Sequence, residues 1–529
     1  MGDDARTLRN RLLDSERYRV TPPRHGAVRV AVAYPNTYRV AMASLAFQWV
    51  TELTGREPDV GVERAFADGP LLGSTLEEGA TLAAFDAVAF SMAFEPDAPN
   101  VLRMLRTAGI APRREQRRPG DPLVVLGGSV ATINPLPLAP AVDVFCLGAA
   151  ERTWPAVLRL LRDGTDREAL LDELASRDGY LVPSRHLDAA GRPLRRLRRL
   201  EKRRLETLPP DAVPASHAVT PGAEYRSRGL VEMSRGCPES CRYCWISHTA
   251  GNLRPYATEA ILTRVHELSR ITSRIGFVAT AVGDHPEIGR ILAAAVDSGL
   301  DVALSSLRIP AMVPEVLEPL VASGARSVAI APETGSDALR RALGKPITNE
   351  AILAAVETGF RCGLTGIKLY FIVGLPGETD GDLDAIAGLI REIHRIGAST
   401  PRPGRGGPWL RASVNVLVPK PYTPYHAVGM LERREARRRL RRIERALTGL
   451  PGFRLDRPSV REARWQGYLG RAGVEAFPLL EALAAGETPA RAMARYADRI
   501  EPLLGPWDGG PPPWHFITSA PLPQTPTPS

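Results

Sequence analysis

The run Leu230-Val231-Glu232-Met233-Ser234-Arg235-Gly236-Cys237-Pro238-Glu239-Ser240-Cys241-Arg242-Tyr243-Cys244 places three of the chain's five cysteines within eight residues. Its first half, 230–234, is a short apolar stretch that predicts a strand, so the cysteine loop sits at a strand's carboxyl end, where α/β barrels keep their reactive groups. Three thiolates on one loop hold three irons of a cubane and leave the fourth iron open for chemistry. The spacing CxxxCxxC differs from the ferredoxin pattern, in which a fourth cysteine closes the cluster for electron transfer. The competing reading is a structural zinc site with His248 as a fourth ligand, because zinc favours closed tetrahedral Cys3His sets.

Outward from this loop, apolar strands alternate with helices on both sides. Before it, strands are expected at 28–33, 61–65, 85–92, 123–126 and 142–147, and helices at 40–53, 99–107 and 152–161. Apolar runs interleaved with helices argue for a parallel sheet covered on both faces, whose ligands bind at the carboxyl ends of its strands. After it, strands are expected at 275–280, 302–306, 327–331, 366–373 and 412–417, with helices at 258–271, 286–298, 314–322, 336–341, 349–362 and 380–396. With the strand before the cysteines this makes six βα repeats, too few to close an eight-stranded barrel. The boundaries that follow are a helical arm over 1–25, an α/β domain over 26–165, a Pro-rich linker with a hairpin over 166–225, a barrel over 226–430, and a helical region over 431–529 whose tail is disordered from about 520.

The cysteine stretch resembles the signature of the radical SAM superfamily, CxxxCxφC with φ aromatic, and Tyr243 fills the aromatic position. The resemblance implies an open (β/α)6 partial TIM barrel in which Cys237, Cys241 and Cys244 hold a [4Fe-4S] cluster. It further implies that the open iron binds S-adenosyl-L-methionine, which one electron cleaves to a 5'-deoxyadenosyl radical. Three strand-end motifs extend it. Ser306-Leu307-Arg308 closes the third barrel strand, Glu333 lies in the turn after the fourth, and Gly374-Leu375-Pro376-Gly377-Glu378 follows the fifth. The implied roles are cofactor contacts by Tyr243, Ser306, Arg308, Glu333, Gly374 and Gly377. The last motif is similar to the family's GxIxGxxE stretch with Ile372 as its isoleucine, although Tyr370 stands where the first glycine would be. An electron donor such as flavodoxin or ferredoxin is the partner the resemblance implies.

The preceding domain resembles the flavodoxin-like cobalamin-binding domains found before many radical SAM barrels. Ser91 and Gly127-Gly128 match the serine turn and glycine pair, where residues lacking a side chain let backbone approach a nucleotide tail. The third mark, DxHxxG, is altered to Asn36, Tyr38 and Ala41, so the histidine that would ligate cobalt from below is missing. Cobalamin bound and cobalamin absent both stay open. Bound, the outcome is methyl transfer to an unactivated carbon; absent, it is rearrangement or RNA modification. Methylthiolation lacks the second cysteine set an auxiliary cluster needs. A non-catalytic iron-sulfur or zinc binding protein is the reading from another class.

The 529-residue composition, with 44% hydrophobic residues, suits a multidomain globular chain. The charged N-terminus shows no secretory signal, and no apolar run reaches the ~18 to 20 residues of a membrane span. Few cysteines and no disulfide framework fit a reducing cytoplasm. The net charge of +9 is almost all arginine, with lysine only at 202, 345, 368 and 420. Its arginine runs at 195–199 and 437–442 read as solvated faces rather than nucleic-acid grooves, because no aromatic residues interleave with them. Lys420, Tyr422 and His426, in a Pro-rich loop after the barrel, are read as exposed rather than as substrate contacts. Cys146 and Cys362 are read as packing residues.

Overall fold

The computed structural model describes residues 3–197, 199–401, 408–507 and 509–519. The first sheet has six strands, β1 (Val28–Tyr34), β2 (Val60–Phe66), β3 (Ala87–Ser91), β4 (Leu123–Gly127), β5 (Val144–Cys146) and β6 (Tyr180–Leu181), in the order 2-1-3-4-5-6. The first five are parallel and β6 is antiparallel to β5. The order 2-1-3-4-5 is that of flavodoxin-like folds, which place a ligand site where β1 and β3 diverge. Alternate residues of each strand feed two separate cores. Val30, Val32, Ala87, Ala89, Leu123 and Val125 enter one, and Ala31, Ala33, Val88, Phe90, Val124 and Leu126 enter the other, as the two-residue period of a strand requires. The second core runs on into the barrel and the C-terminal helices, so that face of the sheet is sealed by the rest of the chain.

The second set of strands is all parallel: β7 (Gly229–Glu232), β8 (Arg274–Val278) and β9 (Asp301–Leu304) form one group, and β10 (Ser327–Glu333), β11 (Gly366–Val373), β12 (Trp409–Val416) and β13 (Phe453–Asp456) form another. A backbone hydrogen bond from Leu307 to Ala329, 2.9 Å, carries the curve across the break between β9 and β10. The six expected repeats are present, and β13 adds a seventh strand. It was missed because its four residues alternate with charge and follow a helix, Arg433–Leu447, whose basic outer face conceals the buried stripe Ala436, Leu440, Ile443 and Leu447.

Three further expectations need correction. The helix expected over 40–53 is broken in two, Tyr38–Ala41 and Leu45–Arg56, because the Ser44 side chain accepts from the Phe47 N–H and starts the second piece afresh. The stretch 166–225 is not simply a linker. Its helix Arg167–Ala175 buries Leu170, Leu171 and Leu174, β6 completes the first sheet, and Leu200–Lys202 pairs in parallel with Ile517–Ser519. The C-terminal region adds the helices Val460–Arg471, Phe477–Ala484, Pro489–Arg495 and Ala497–Leu504, which pack back across both sheets; the expected disordered tail lies outside the described residues. Among the described residues no helix is long and apolar enough to cross a membrane.

Charged residues tie the first domain to the barrel and brace the first domain internally. Arg19 pairs with Glu52 on the helix Leu45–Arg56 and with Glu267 on the helix Thr258–Ser269, 3.0 Å away. Arg64, 2% exposed on β2, donates to both carboxylate oxygens of Glu16 at 2.9 and 2.6 Å and to Glu77 at 2.6 Å. Removing the cation would strand two buried carboxylates, which costs about 3–5 kcal/mol. Arg64→Met is therefore expected to lower the thermal midpoint by several degrees, and an unchanged melt would show that this ion set holds nothing.

Candidate active site

The cysteine loop begins at Gly236, whose φ of +82° belongs to the left-handed region and whose Cβ, if present, would lie 2.1 Å from the Asn252 carbonyl oxygen. From there the loop is held by backbone bonds to distant segments. The Cys237 N–H donates to Gly251 O at 3.2 Å, the Arg242 N–H to Leu343 O at 2.8 Å, and the Tyr425 N–H to Arg242 O at 3.2 Å. Cys241 is buried, and Cys237 and Cys244 are half-buried. Burial pushes the Cys237 thiol up and the Cys241 thiol up to about 12, so a metal bound there would displace protons. The short helix Trp245–Thr249 follows at once.

His248 does not join the cysteines. His248 points its Nε2 at the Cys241 carbonyl, 3.0 Å away, rather than at a thiol. Among the described residues no three His, Cys, Asp or Glu side chains converge on a point that would suit a single metal ion. A cubane asks for something else, three thiolates each at its own iron, and that is the donor set this loop offers.

Glu333 and Tyr243 meet. The Tyr243 hydroxyl donates to Glu333 Oε1 at 2.6 Å, and Lys345 Nζ donates to the same oxygen at 2.8 Å and to Ala331 O at 2.7 Å. Glu333 reaches this position with φ +66°, a conformation rare for a residue with a side chain and of the kind that collects at functional sites. Both hydrogen bonds fall on Oε1, so Oε2 is the oxygen left for a ligand. Arg308 does something different from the expected cofactor contact: it pairs with Glu239 of the cysteine loop and with Asp284, bracing the loop from the third barrel strand. Gly374 is likewise part of a self-contained turn. Its N–H donates to Glu378 at 2.7 Å, Glu378 is paired with Arg439 at 2.6 Å, and the turn's φ of +88° is packed against Leu431. Gly377, φ +76°, has nothing within 4 Å of a Cβ position and leaves the turn open above it.

The carboxyl ends of both sheets border one cavity of about 730 Å³. Ser91, Gly127 and Gly128 line it from the first sheet, Ser306 from the barrel, and Gly236, Trp245 and Ile246 from either side of the cysteines. Gly128, φ +100°, has Met92 O 2.5 Å from where a Cβ would be, so only glycine lets the chain pass here. Asn36, Tyr38 and Ala41 take no part: Asn36 donates to Asp97 at 2.9 Å, Tyr38 donates to Glu16 at 2.7 Å, and Ala41 is buried. Cys146 is buried as expected and also borders the cavity.

The sequence reading missed several residues of this wall. Arg235 bridges Glu151 at 2.8 Å and Glu232 at 2.9 Å, while Trp49 Nε1 donates to Glu151 at 2.7 Å. Lys202 lies under Tyr422, its Nζ 3.1 Å from the ring centroid. The loop after the barrel is not exposed as expected: Lys420 pairs with buried Glu95, Tyr422 is half-buried beside Lys202 with its hydroxyl enclosed, and His426 turns onto Thr423 O at 2.8 Å. One signal was available. In a chain that uses arginine almost everywhere, three of the four lysines, 202, 345 and 420, are packed against a ring or a carboxylate, Lys202 buried and the other two half-buried.

Comparison with known proteins accords with this geometry. A family model described as radical SAM proteins, N-terminal, matches residues 47–183, and one described as the radical SAM superfamily matches residues 231–390. An uncharacterized protein of Methanocaldococcus jannaschii is 23% identical over 398 residues, spanning 75% of this chain and 78% of that one. An uncharacterized methyltransferase of Pyrococcus horikoshii is 24% identical over 300 residues, 53% of this chain and 61% of its own length. The radical S-adenosylmethionine methyltransferase TsrM of Kitasatospora setae, solved with cobalamin and a [4Fe-4S] cluster, superposes with a TM-score of 0.52 at 15% identity, covering 75% of this chain and 74% of that one, a likeness of fold. With its cysteine loop at the mouth of an open parallel barrel and a flavodoxin-like sheet facing it, the chain is an enzyme that belongs to the radical SAM superfamily.

Proposed function

We propose that this enzyme is a cobalamin-dependent radical SAM methyltransferase that modifies an unactivated carbon, with Cys237, Cys241 and Cys244 as the cluster ligands. The observation that supports the reading is the shared cavity: the glycine pair of the first sheet and the residues flanking the cysteines line one space, so a group resting on Gly127-Gly128 would face the cluster loop directly. When bound, the cluster supplies the electron that cleaves S-adenosylmethionine and a corrinoid supplies a methyl group for transfer.

The chain's own part is to bind, orient and exclude water. Glu333 Oε2, at the end of β10, is placed to accept from the ammonium or ribose hydroxyls of S-adenosylmethionine, while its Oε1 keeps Tyr243 and with it the loop in position. Ile372 on β11 offers an apolar surface beside the Gly374 turn. On the first sheet, Ser91 and the side-chain-free Gly127-Gly128 edge allow close backbone approach to a large ring or its tail. The same cavity is walled by Leu45, Trp49, Val50, Ala89 and Val125, a dry lining suited to reactive intermediates that water would quench. No histidine borders it among the described residues, so a cobalt there would be held without a protein imidazole. A low-potential donor protein and a reducing compartment complete the reading.

Reconstitution with iron and sulfide under anaerobic conditions should give brown protein that, once reduced, converts S-adenosylmethionine to 5'-deoxyadenosine or S-adenosylhomocysteine. Cys241→Ala is expected to lose the visible absorption and all turnover with its circular dichroism unchanged; a colourless, zinc-loaded wild type would sink the assignment. Glu333→Gln should weaken S-adenosylmethionine binding about tenfold, ~1.4 kcal/mol, with cluster content retained. Unaltered affinity in calorimetry would reduce Glu333 to a brace for the loop.

A further inference from the structure

The cavity is lopsided in charge. Lys202, Arg203, Arg204, Arg235 and Arg254 border it, against only two carboxylates, Glu151 and Glu232. Both carboxylates are engaged by Arg235. The other four cations meet no carboxylate on the cavity wall among the described residues; Arg204 reaches only Glu206, 3.3 Å away and exposed.

The wall is also rich in donors with nothing to donate to. Lys202 Nζ, Arg204 Nε and Nη1, Arg254 Nε and Trp245 Nε1 are buried and have no hydrogen-bond partner among the described residues, while the two terminal nitrogens of Arg254 donate to Leu205 O and, at 2.6 Å, to Ala250 O. Lys202 is 3% exposed and the Arg204 side chain 8%. Buried donors are ordinarily paired, and these lie just behind the wall of one basic cavity, where an anion held in the cavity would draw them forward. The Tyr422 ring attracts the Lys202 ammonium but gives it no lone pair in return. Burial holds the Lys202 amine well below its usual range, and an anion beside it would restore its charge.

The backbone brings these cations to the carboxyl end of β5. The Arg203 N–H donates to Leu147 O at 2.9 Å, and the Ala149 N–H donates to Arg203 O at 2.7 Å. Between them Gly148, φ +117°, lies so close that a Cβ would sit 2.0 Å from Arg203 O. A basic segment is thus bonded directly to the strand ends at which ligands of such sheets bind. The free N–H groups of such arginines and a lysine ammonium each donate a charge-assisted hydrogen bond to a phosphate oxygen.

We propose that the wall of Lys202, Arg204 and Arg254 binds the oxyanion of a phosphate or phosphodiester carried by the molecule that fills this cavity. The inference leans on the corrinoid reading only for the carrier, since cobalamin's nucleotide loop and a phosphorylated substrate present the same oxygens.

The test is made on the full chain, reconstituted anaerobically, by absorbance titration with hydroxocobalamin and with cobinamide, which keeps the corrin ring and lacks the phosphodiester. Inorganic phosphate is titrated separately by calorimetry. If the corrinoid carries the anion, the wild type prefers cobalamin over cobinamide by about tenfold or more, the preference shrinks with added salt, and Arg204→Gln and Arg254→Gln erase it without touching cobinamide affinity. If the substrate carries it, the two corrinoids bind alike and inorganic phosphate binds the wild type, about tenfold more weakly in either variant. Retained cluster content and an unchanged melt separate a lost contact from a lost fold, and Arg204→Lys should recover part of the effect. Equal corrinoid affinities in all proteins, with no phosphate binding, overturn the proposal and leave the corrinoid reading intact. A wild type that holds neither corrinoid defeats that reading instead, and the phosphate titration alone then decides the anion site.

Discussion

A loop carrying three thiols has no reason of its own to keep them apart and facing one way, and the fold supplies that reason through the single carboxylate of Glu333. Its Oε1 accepts from Tyr243, the residue between two of the cysteines, and from Lys345, which also bonds the backbone of β10. The left-handed conformation of Glu333 is the cost of reaching that point. Arg308 braces the same loop through Glu239, and the Leu343 and Gly251 carbonyls fix its backbone. Contacts from several barrel strand ends thus converge on the cysteine loop and hold its backbone in place, as preorganised sites require.

The second constraint is that two parallel sheets must point the same kind of edge at each other. Carboxyl ends are where backbone N–H groups and loop side chains are free to meet ligands. Arg19 and the C-terminal helices turn the two edges together, and Asn134 adds to the join by donating to the carbonyls of Leu469, Gly470 and Ala472 where the helix Val460–Arg471 ends. Arg113 and Glu481 make a further tie. The C-terminal helical region is therefore a clasp between the first domain and the barrel.

Much of this was legible in the residues. The apolar runs of β1 to β5 announced themselves because strands buried on both faces need nearly every position to be apolar. The cysteine spacing and the glycine pair were legible because their chemistry tolerates few substitutes. Strand ends were harder: Ser306 and Arg308 lie two residues apart, yet one borders the cavity and the other clamps a loop. The short strands β6 and β13 were too brief or too charged to show a period. Lys202 and its arginine neighbours looked like a solvated linker because what buries them, Tyr422, Trp514 and the strand Ile517–Ser519, comes from far along the chain. Local pattern holds no record of such pairings.

That pairing sets an order of events. The first sheet can assemble as soon as its strands leave the ribosome. The segment Leu200–Lys202, however, gains its parallel neighbour only when Ile517–Ser519 has been synthesised. The Lys202 side of the chamber therefore lacks its neighbouring strand until residues 517–519 have emerged, so a prosthetic group that rests on that side is held only after this late segment has docked.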